Sequence, residues 1–192
     1  MSRRALGSVA AVALAAPTVA LIVSALDTAV RGAGLPLGHA SVIRQQAAAK
    51  HLDPALIAAV IYAESKFDPR TSPAGAEGLM QILPATAYFI ARRSGGTRFT
   101  ASDLATPSIN VAYGSYYLRY LLDHYSGNEM LALAAYNGGV ANVDGWVARA
   151  EAAGRPLTLA GIPFGETRAY VQRVLEAQRA YRTTYPRELG LA

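Results

Sequence analysis

Apolar residues fall at intervals of three and four along most of this chain, the spacing of helices that bury one face. Val42, Ile43 and Ala47 set the pattern within His39–Lys50. Asp53–Pro54 then reads as an N-cap followed by proline at the first helical position, which starts a second helix running to about Lys66. Asp68–Gly78 holds two prolines and two glycines and reads as a loop. Leu79–Ile90 is expected as a short helix with Pro84 inside it or starting it, and Arg92–Pro107 as the least ordered stretch. Gly114, Tyr117, Leu118, Leu121, Leu122 and Tyr125 outline an amphipathic helix. Asn128 should cap Glu129–Tyr136, which Gly138–Gly139 ends. Val140–Ala153 reads as helix and Gly154–Gly165 as loop. In Glu166–Tyr181, with Glu166 as its cap, one face carries Tyr170, Val171, Val174, Leu175, Gln178 and Tyr181. No run of alternating β-branched residues appears, so the fold class is all-α or nearly so. The helices are too short and unevenly spaced for a four-helix bundle.

One segment lacks the pattern altogether. Ser2–Arg3–Arg4 is followed by Ala5–Leu26 without a charge, the layout of a signal peptide or an N-terminal membrane anchor. Val23–Ser24–Ala25 offers small residues for cleavage after Ala25, while the apolar run is long enough to span a bilayer. Both readings place the protein outside the cytoplasm, in the periplasm or cell envelope, with any membrane contact made through this segment. The expected organisation is therefore residues 1–30 as leader or anchor, 31–38 as a Gly/Pro-rich connector, 39–185 as the domain and 186–192 as a tail.

Composition narrows the chemistry. There is no cysteine, which removes disulfides and thiolate sites. The formal charge of +5 falls to +3 without Arg3 and Arg4, and no block of five basic residues exists, so no nucleic-acid partner is expected. The sequence holds no GxSxG, GxxxxGK[ST] or HExxH string, and His39, His51 and His124 lack ligand spacing. Neither a metal nor another cofactor is expected, and carboxylate chemistry remains. Glu64 stands out. It lies four residues after Val60, three after Ile61 and seven after Ile57, on their apolar face and in the last turn of its helix. Desolvation and the helix dipole both favour its neutral form, as a general acid near neutral pH requires. A Glu64 that bends out to water, or pairs with Lys66 or Arg70, is the plainer alternative.

Four strings in order carry more. AESKFDP (Ala63–Pro69), SPAGAEGLMQILPATA (Ser72–Ala87), AAYNGG (Ala134–Gly139) and FGETRAYVQRV (Phe164–Val174) together resemble the catalytic domain of lytic transglycosylases, the goose-lysozyme-like enzymes that cleave peptidoglycan. The resemblance spans roughly His39 to Arg182. It implies a lysozyme-like α-helical domain with Glu64 as its single acid/base. It further implies a substrate-binding set of Ser65, Ser72, Met80, Gln81, Tyr136, Asn137 and Tyr170, with Tyr136 and Tyr170 close to the acid. Asn110–Leu118 (NVAYGSYYL) fits a structural helix of the family. Taken singly, Met80 could be a core filler, Ser65 a helix cap and Asn137–Gly138 a helix terminator.

The implied reaction breaks the β-1,4 bond between N-acetylmuramic acid and N-acetylglucosamine and leaves a 1,6-anhydromuramoyl end, with peptidoglycan glycan strands as the partner. Glycosidases ordinarily use two carboxylates, and a lone acid suffices where the substrate supplies the second group. A hydrolytic lysozyme on the same fold, with water placed by Asp68 or another acid, is the competing enzyme. A non-catalytic peptidoglycan-binding component of an envelope machine is the competing binder. The cut would suit local opening of the wall for a secretion, conjugation or pilus apparatus, and would equally suit general turnover.

Overall fold

The computed structural model describes residues 34–96 and 98–192, and Pro36–Ala192 forms one compact unit. The leader expected over residues 1–30, and the first part of the connector after it, lie outside the described residues.

Seven α-helices are present among the described residues. Helices α1 (Ala40–Lys50) and α2 (Pro54–Ser65) meet at a sharp corner. His51 ends α1 in the left-handed region, and Asp53 starts α2 by accepting a 3.0 Å bond from the Ala55 N–H, with Pro54 at the first helical position. Every residue from Ala55 to Ile61 is at most 1% exposed. Helix α2 is thus apolar on all sides and forms the axis of the fold, so other helices must wrap it completely.

After α2 the chain reverses through Lys66 and Phe67, both at positive φ, into a two-stranded antiparallel hairpin of β1 (Arg70–Thr71) and β2 (Glu77–Gly78). Helix α3 covers Pro84–Ser94, so Pro84 starts it, as one of the two expected placements had it, and Leu79–Leu83 lie outside. Proline has no N–H and clashes with the preceding turn, so it takes the first helical position and forces Leu79–Leu83 out of the helix. The amides of Met80, Gln81 and Ile82 bond instead to Asn110 Oδ1, the Gly78 carbonyl and the Glu77 carbonyl. The stretch expected to be least ordered is more regular than its composition suggested. Gly95 caps α3, and a 3₁₀ turn at Ala101–Ala105 follows, closed by a capping box between Thr100 and Asp103.

Helix α4 (Pro107–His124) leads through Ser126 and Gly127, again at positive φ, to α5 (Glu129–Gly138), whose cap Asn128 accepts from the Leu131 N–H at 3.1 Å. Helix α6 (Val140–Ala152) and a 3₁₀ turn at Leu159–Gly161 precede α7 (Gly165–Thr184). Glu166 does not cap α7. Phe164 holds the cap position without a side-chain bond, and Glu166 lies in the first turn.

Helix α7 runs antiparallel to α2 and buries Tyr170, Val171, Val174, Ala177, Gln178 and Tyr181. At the start of α2, Asp53 Oδ2 accepts from Gln178 Nε2 at 2.7 Å and from both Nε and Nη2 of Arg182 at 3.1 and 2.9 Å. Beyond α7 the chain folds back, and Leu189 is 1% exposed. Among the described residues no helix is long and apolar enough to cross a membrane.

Candidate active site

Glu64 is the penultimate residue of α2, the point where the buried axis of the fold reaches the surface. Its neighbours one turn back, Val60 and Ile61, are fully buried, and the carboxyl itself is half-buried. Its Oε1 accepts a 2.8 Å hydrogen bond from the Tyr170 hydroxyl of α7. Burial pushes the carboxyl from its ordinary value near 4.5 up to about 7, against the opposing pull of the Tyr170 hydrogen bond and of the Arg173 charge. Desolvation wins, so the acid is poised near neutrality. The phenols of Tyr170 and Tyr136 are pushed well above their ordinary value, mainly by burial and then by the charge of Glu64. Both therefore keep their protons and act as donors.

Most of the remaining polar groups converge on one loop. Met80 N–H donates to Asn110 Oδ1 at 2.8 Å, and Asn110 Nδ2 donates to the carbonyls of Glu77 and Leu104 at 2.8 and 3.0 Å. The Tyr136 hydroxyl donates to the Met80 carbonyl at 2.9 Å. Ser65 Oγ lies 2.8 Å from the Leu79 carbonyl and 3.1 Å from that of Ile61, and its single proton serves both. Gln81 Nε2 donates to the carbonyls of Arg70 and Gly78 at 2.7 and 2.8 Å. The fit tolerates no extra atom. A Cβ on Gly78, whose φ is +74°, would stand 2.3 Å from Asn110 Nδ2, and one on Gly114 would stand 2.3 Å from Met80 Sδ.

The expected substrate-binding set is therefore split. Ser65 and Met80 are fully buried and present no surface to a ligand. Their expected contact with glycan is corrected by this burial: Ser65 ties α2 to the loop, and Met80 fills the space opposite Gly114. Gln81 and Tyr136 keep partial exposure but commit their polar groups to backbone carbonyls. Ser72 sits in the turn between β1 and β2, where its Oγ accepts from the Ala76 N–H at 3.0 Å, and no bond joins it to the acid. Asn137 is exposed; its Oδ1 accepts from Thr167 Oγ1 at 2.8 Å, which leaves the amide nitrogen facing outward. Tyr170 is 2% exposed and touches the acid directly.

Asn110 is the residue the sequence reading passed over as part of a structural helix. A signal was present, since Asn110 shares an apolar face with Gly114, Leu118 and Leu121, the same anomaly that singles out Glu64. Arg173 and Thr167 had no such signal. Of the other acids considered, Asp68 is exposed, and Glu77 accepts from Thr71 Oγ1 at 2.9 Å. Among the described residues no three His, Asp or Glu side chains are grouped to hold a metal ion. A half-buried carboxyl near its midpoint at neutral pH, steadied on one oxygen by a phenol and open on the other, can give and retake a proton on the same face.

The family model of the transglycosylase SLT domain matches residues 41–157. The soluble lytic murein transglycosylase of Escherichia coli K12 is 33% identical over 152 residues, which cover 77% of this chain and 23% of that protein. The membrane-bound lytic murein transglycosylase C of Salmonella typhi is 31% identical over 166 residues, covering 75% of this chain and 46% of that one. Among solved structures, the 70 kDa soluble lytic transglycosylase of Escherichia coli superposes with a TM-score of 0.72 at 31% identity, covering 78% of this chain and 25% of the other. The chain thus spans about a quarter of the length of the soluble relatives it matches.

Proposed function

Because the chain belongs to the transglycosylase SLT domain family, we infer that it is a peptidoglycan lytic transglycosylase with Glu64 as its acid and base. One observation carries the reading: a half-buried carboxyl raised to about 7 whose hydrogen-bond partner is a phenol. With Oε1 engaged by Tyr170, the proton of the neutral acid resides on Oε2. That oxygen donates to the glycosidic oxygen between N-acetylmuramic acid and N-acetylglucosamine as the bond to C1 breaks. The muramoyl acetamide shields the electron-poor C1, the task a second carboxylate performs in most glycosidases. Glu64, now ionised and held by the Tyr170 hydroxyl, takes the proton of the C6 hydroxyl, whose oxygen closes onto C1. The product is a 1,6-anhydromuramoyl end and a free N-acetylglucosamine hydroxyl, and Glu64 is neutral again. No water enters. An intramolecular nucleophile beside C1 competes at effective molarities of up to about 10⁵–10⁸ M, far above bulk water.

Tyr170 positions the acid and steadies its ionised form between the two steps. The loop at Gly78–Gln81, braced by Ser65, Asn110 and Tyr136, forms the wall beside it, and the outward amide of Asn137 offers donors to the N-acetyl and hydroxyl groups of the strand. The activity belongs at the cell envelope, reached through the leader or anchor at residues 1–30. It serves local opening of the wall for a secretion, conjugation or pilus apparatus, or general turnover.

The test is product analysis. Purified protein incubated with peptidoglycan should release muropeptides with anhydro ends that borohydride does not reduce. Glu64→Gln should lower that release by roughly 10²-fold or more. Reducible, hydrated ends as the main product would identify a hydrolytic lysozyme and call for a second carboxylate. Binding without any cleavage would identify a wall-binding component.

A further inference from the structure

Helix α7 meets the ends of two other helices one turn apart. Glu64 is the penultimate residue of α2, and Asn137 is the penultimate residue of α5. Each is gripped through one terminal oxygen by a hydroxyl of α7. Tyr170 donates to Glu64 Oε1 at 2.8 Å, and Thr167 donates to Asn137 Oδ1 at 2.8 Å. Tyr170 and Thr167 are each 2% exposed and lie three residues apart, which puts them on one face of α7, separated by about 4.5 Å along its axis. Asn137 is thus set one turn from the acid. The close approach of α5 to α7 depends on Gly138, where a Cβ would stand 3.0 Å from Thr167 Oγ1 and 3.4 Å from the Trp146 ring.

The direction of the Asn137 amide is decided by its partner. Asn137 is exposed, and a solvated amide can turn about its last bond and exchange oxygen for nitrogen. Thr167 is buried, and among the described residues its hydroxyl proton has one acceptor, Asn137 Oδ1. A buried donor left without an acceptor is costly, so the bond fixes the oxygen inward and the two N–H donors outward. As a clamp between helices the bond adds little, because water would satisfy the exposed amide equally well. What it changes is which end of the amide faces out.

We propose that Thr167 is a positioning residue for the strand, as Tyr170 is for the acid. It locks the Asn137 amide with its donors outward, so that Asn137 binds an acceptor oxygen of the glycan beside the bond that Glu64 cleaves. This rests on the proposed function for the identity of the strand. Without the lock, the side chain samples two χ1 wells common in a helix and both amide orientations. The competent arrangement then holds about a quarter of the population, and affinity falls roughly fourfold.

The test reads binding apart from cleavage. Soluble peptidoglycan glycan strands, freed of their peptides, are titrated calorimetrically into the full chain carrying Glu64→Gln. Thr167→Val keeps the shape and removes the hydroxyl, and should weaken binding roughly fourfold; Thr167→Ala serves in its place where valine packs poorly. Thr167→Ser should recover the affinity. In an Asn137→Ala background, loss of the Thr167 hydroxyl should cost nothing further, an outcome that a merely structural role does not give. Asn137→Asp keeps an oxygen for Thr167 but turns a second oxygen outward, and should bind no better than Asn137→Ala. With Glu64 restored, Thr167→Val should raise KM for release of anhydro ends and leave kcat nearly unchanged, as expected for lost uniform binding. The proposal is overturned if Asn137→Ala or Asn137→Asp binds as tightly as the parent, or if the Thr167 changes weaken binding equally with and without Asn137. A loss confined to kcat, or a parent that binds no strand, overturns it as well. Anhydro ends released by the unmutated protein report separately on the chemistry, so a failed reaction and a failed lock are told apart.

Discussion

Replacing Glu64 by glutamine should make the protein more stable, and increasingly so as pH rises. Glutamine keeps an oxygen to accept from the Tyr170 hydroxyl and discards the titration. In the unmutated protein the folded state binds the Glu64 proton more tightly than the unfolded chain, with the carboxyl moved from near 4.5 to about 7. The sign follows from linkage: where the folded state holds more protons, raising pH favours unfolding. Below about pH 4.5 the carboxyl is neutral in both states and the two proteins should match. Between there and neutrality the gap opens, and above pH 7 it levels off. At about 1.4 kcal/mol per pH unit, the full separation amounts to roughly 3 kcal/mol. Every other titrating group is common to both proteins, so the difference isolates this one carboxyl. Urea unfolding at pH 5 and pH 8 is the assay. With an m value of about 2 kcal/mol per M, the glutamine variant should gain about 1 M in midpoint between those pH values relative to the unmutated protein. A gap that stays constant with pH, or closes as pH rises, would show a solvated carboxyl and remove the physical basis of a poised acid.

Tyr170→Phe takes away a hydrogen bond that favours the ionised carboxyl, so the high-pH limb of kcat/KM should move upward even as the rate falls roughly tenfold or more through lost positioning. A limb that moves downward would contradict the donor role of the phenol. Asn110→Ala leaves the Met80 N–H and the carbonyls of Glu77 and Leu104 without their partner, and thermal unfolding should report a loss of roughly 3 kcal/mol; a loss under about 1 kcal/mol would mean the loop is held by other means. Asp53→Ala removes both the cap of α2 and its clasp to Gln178 and Arg182, which should destabilise by about 2 kcal/mol. N-terminal sequencing of protein recovered from cells should find a start near Leu26, or Arg3–Arg4 retained in a membrane fraction; full-length protein in the soluble cytoplasmic fraction would refute both.

How much of this was legible beforehand depended on where the deciding forces lay. Asp53–Pro54 and Asn128 announced their helices because capping is local chemistry, and both caps formed as read. Of the two placements open for Pro84, inside α3 or starting it, the second holds, although Leu79–Ile82 is apolar enough for a helix. The Met80 amide is claimed by Asn110, some thirty residues away, while those of Gln81 and Ile82 turn to the carbonyls of Gly78 and Glu77, and periodicity has no access to that competition. The helix carrying Glu64 was read as having one apolar face, whereas it is buried on all sides, since a run of alanines and aliphatics does not say how many neighbours surround it. The direction of the acid's shift was readable from its apolar neighbours. The identity of its partner was not, because Tyr170 is one of 11 tyrosines and is brought to Glu64 by tertiary packing. Ser65 and Met80 sit in motif strings that suggest contact with substrate, and only tertiary packing shows both to be buried, while Tyr136 keeps partial exposure as its hydroxyl bonds the Met80 carbonyl.

The hydrogen bond between Glu64 and Tyr170 joins residues 106 positions apart. A chain made from its N-terminus therefore carries its acid long before it carries the helix that completes it. Until α7 docks, the side of α2 that it covers is open, and Glu64 lacks both the Tyr170 hydroxyl and the burial that α7 supplies. A product that stops before Gly165 contains Glu64 but lacks the phenol that holds its Oε1. The last helix thus completes the setting of Glu64, and the poised carboxyl comes into being only when α7 has docked.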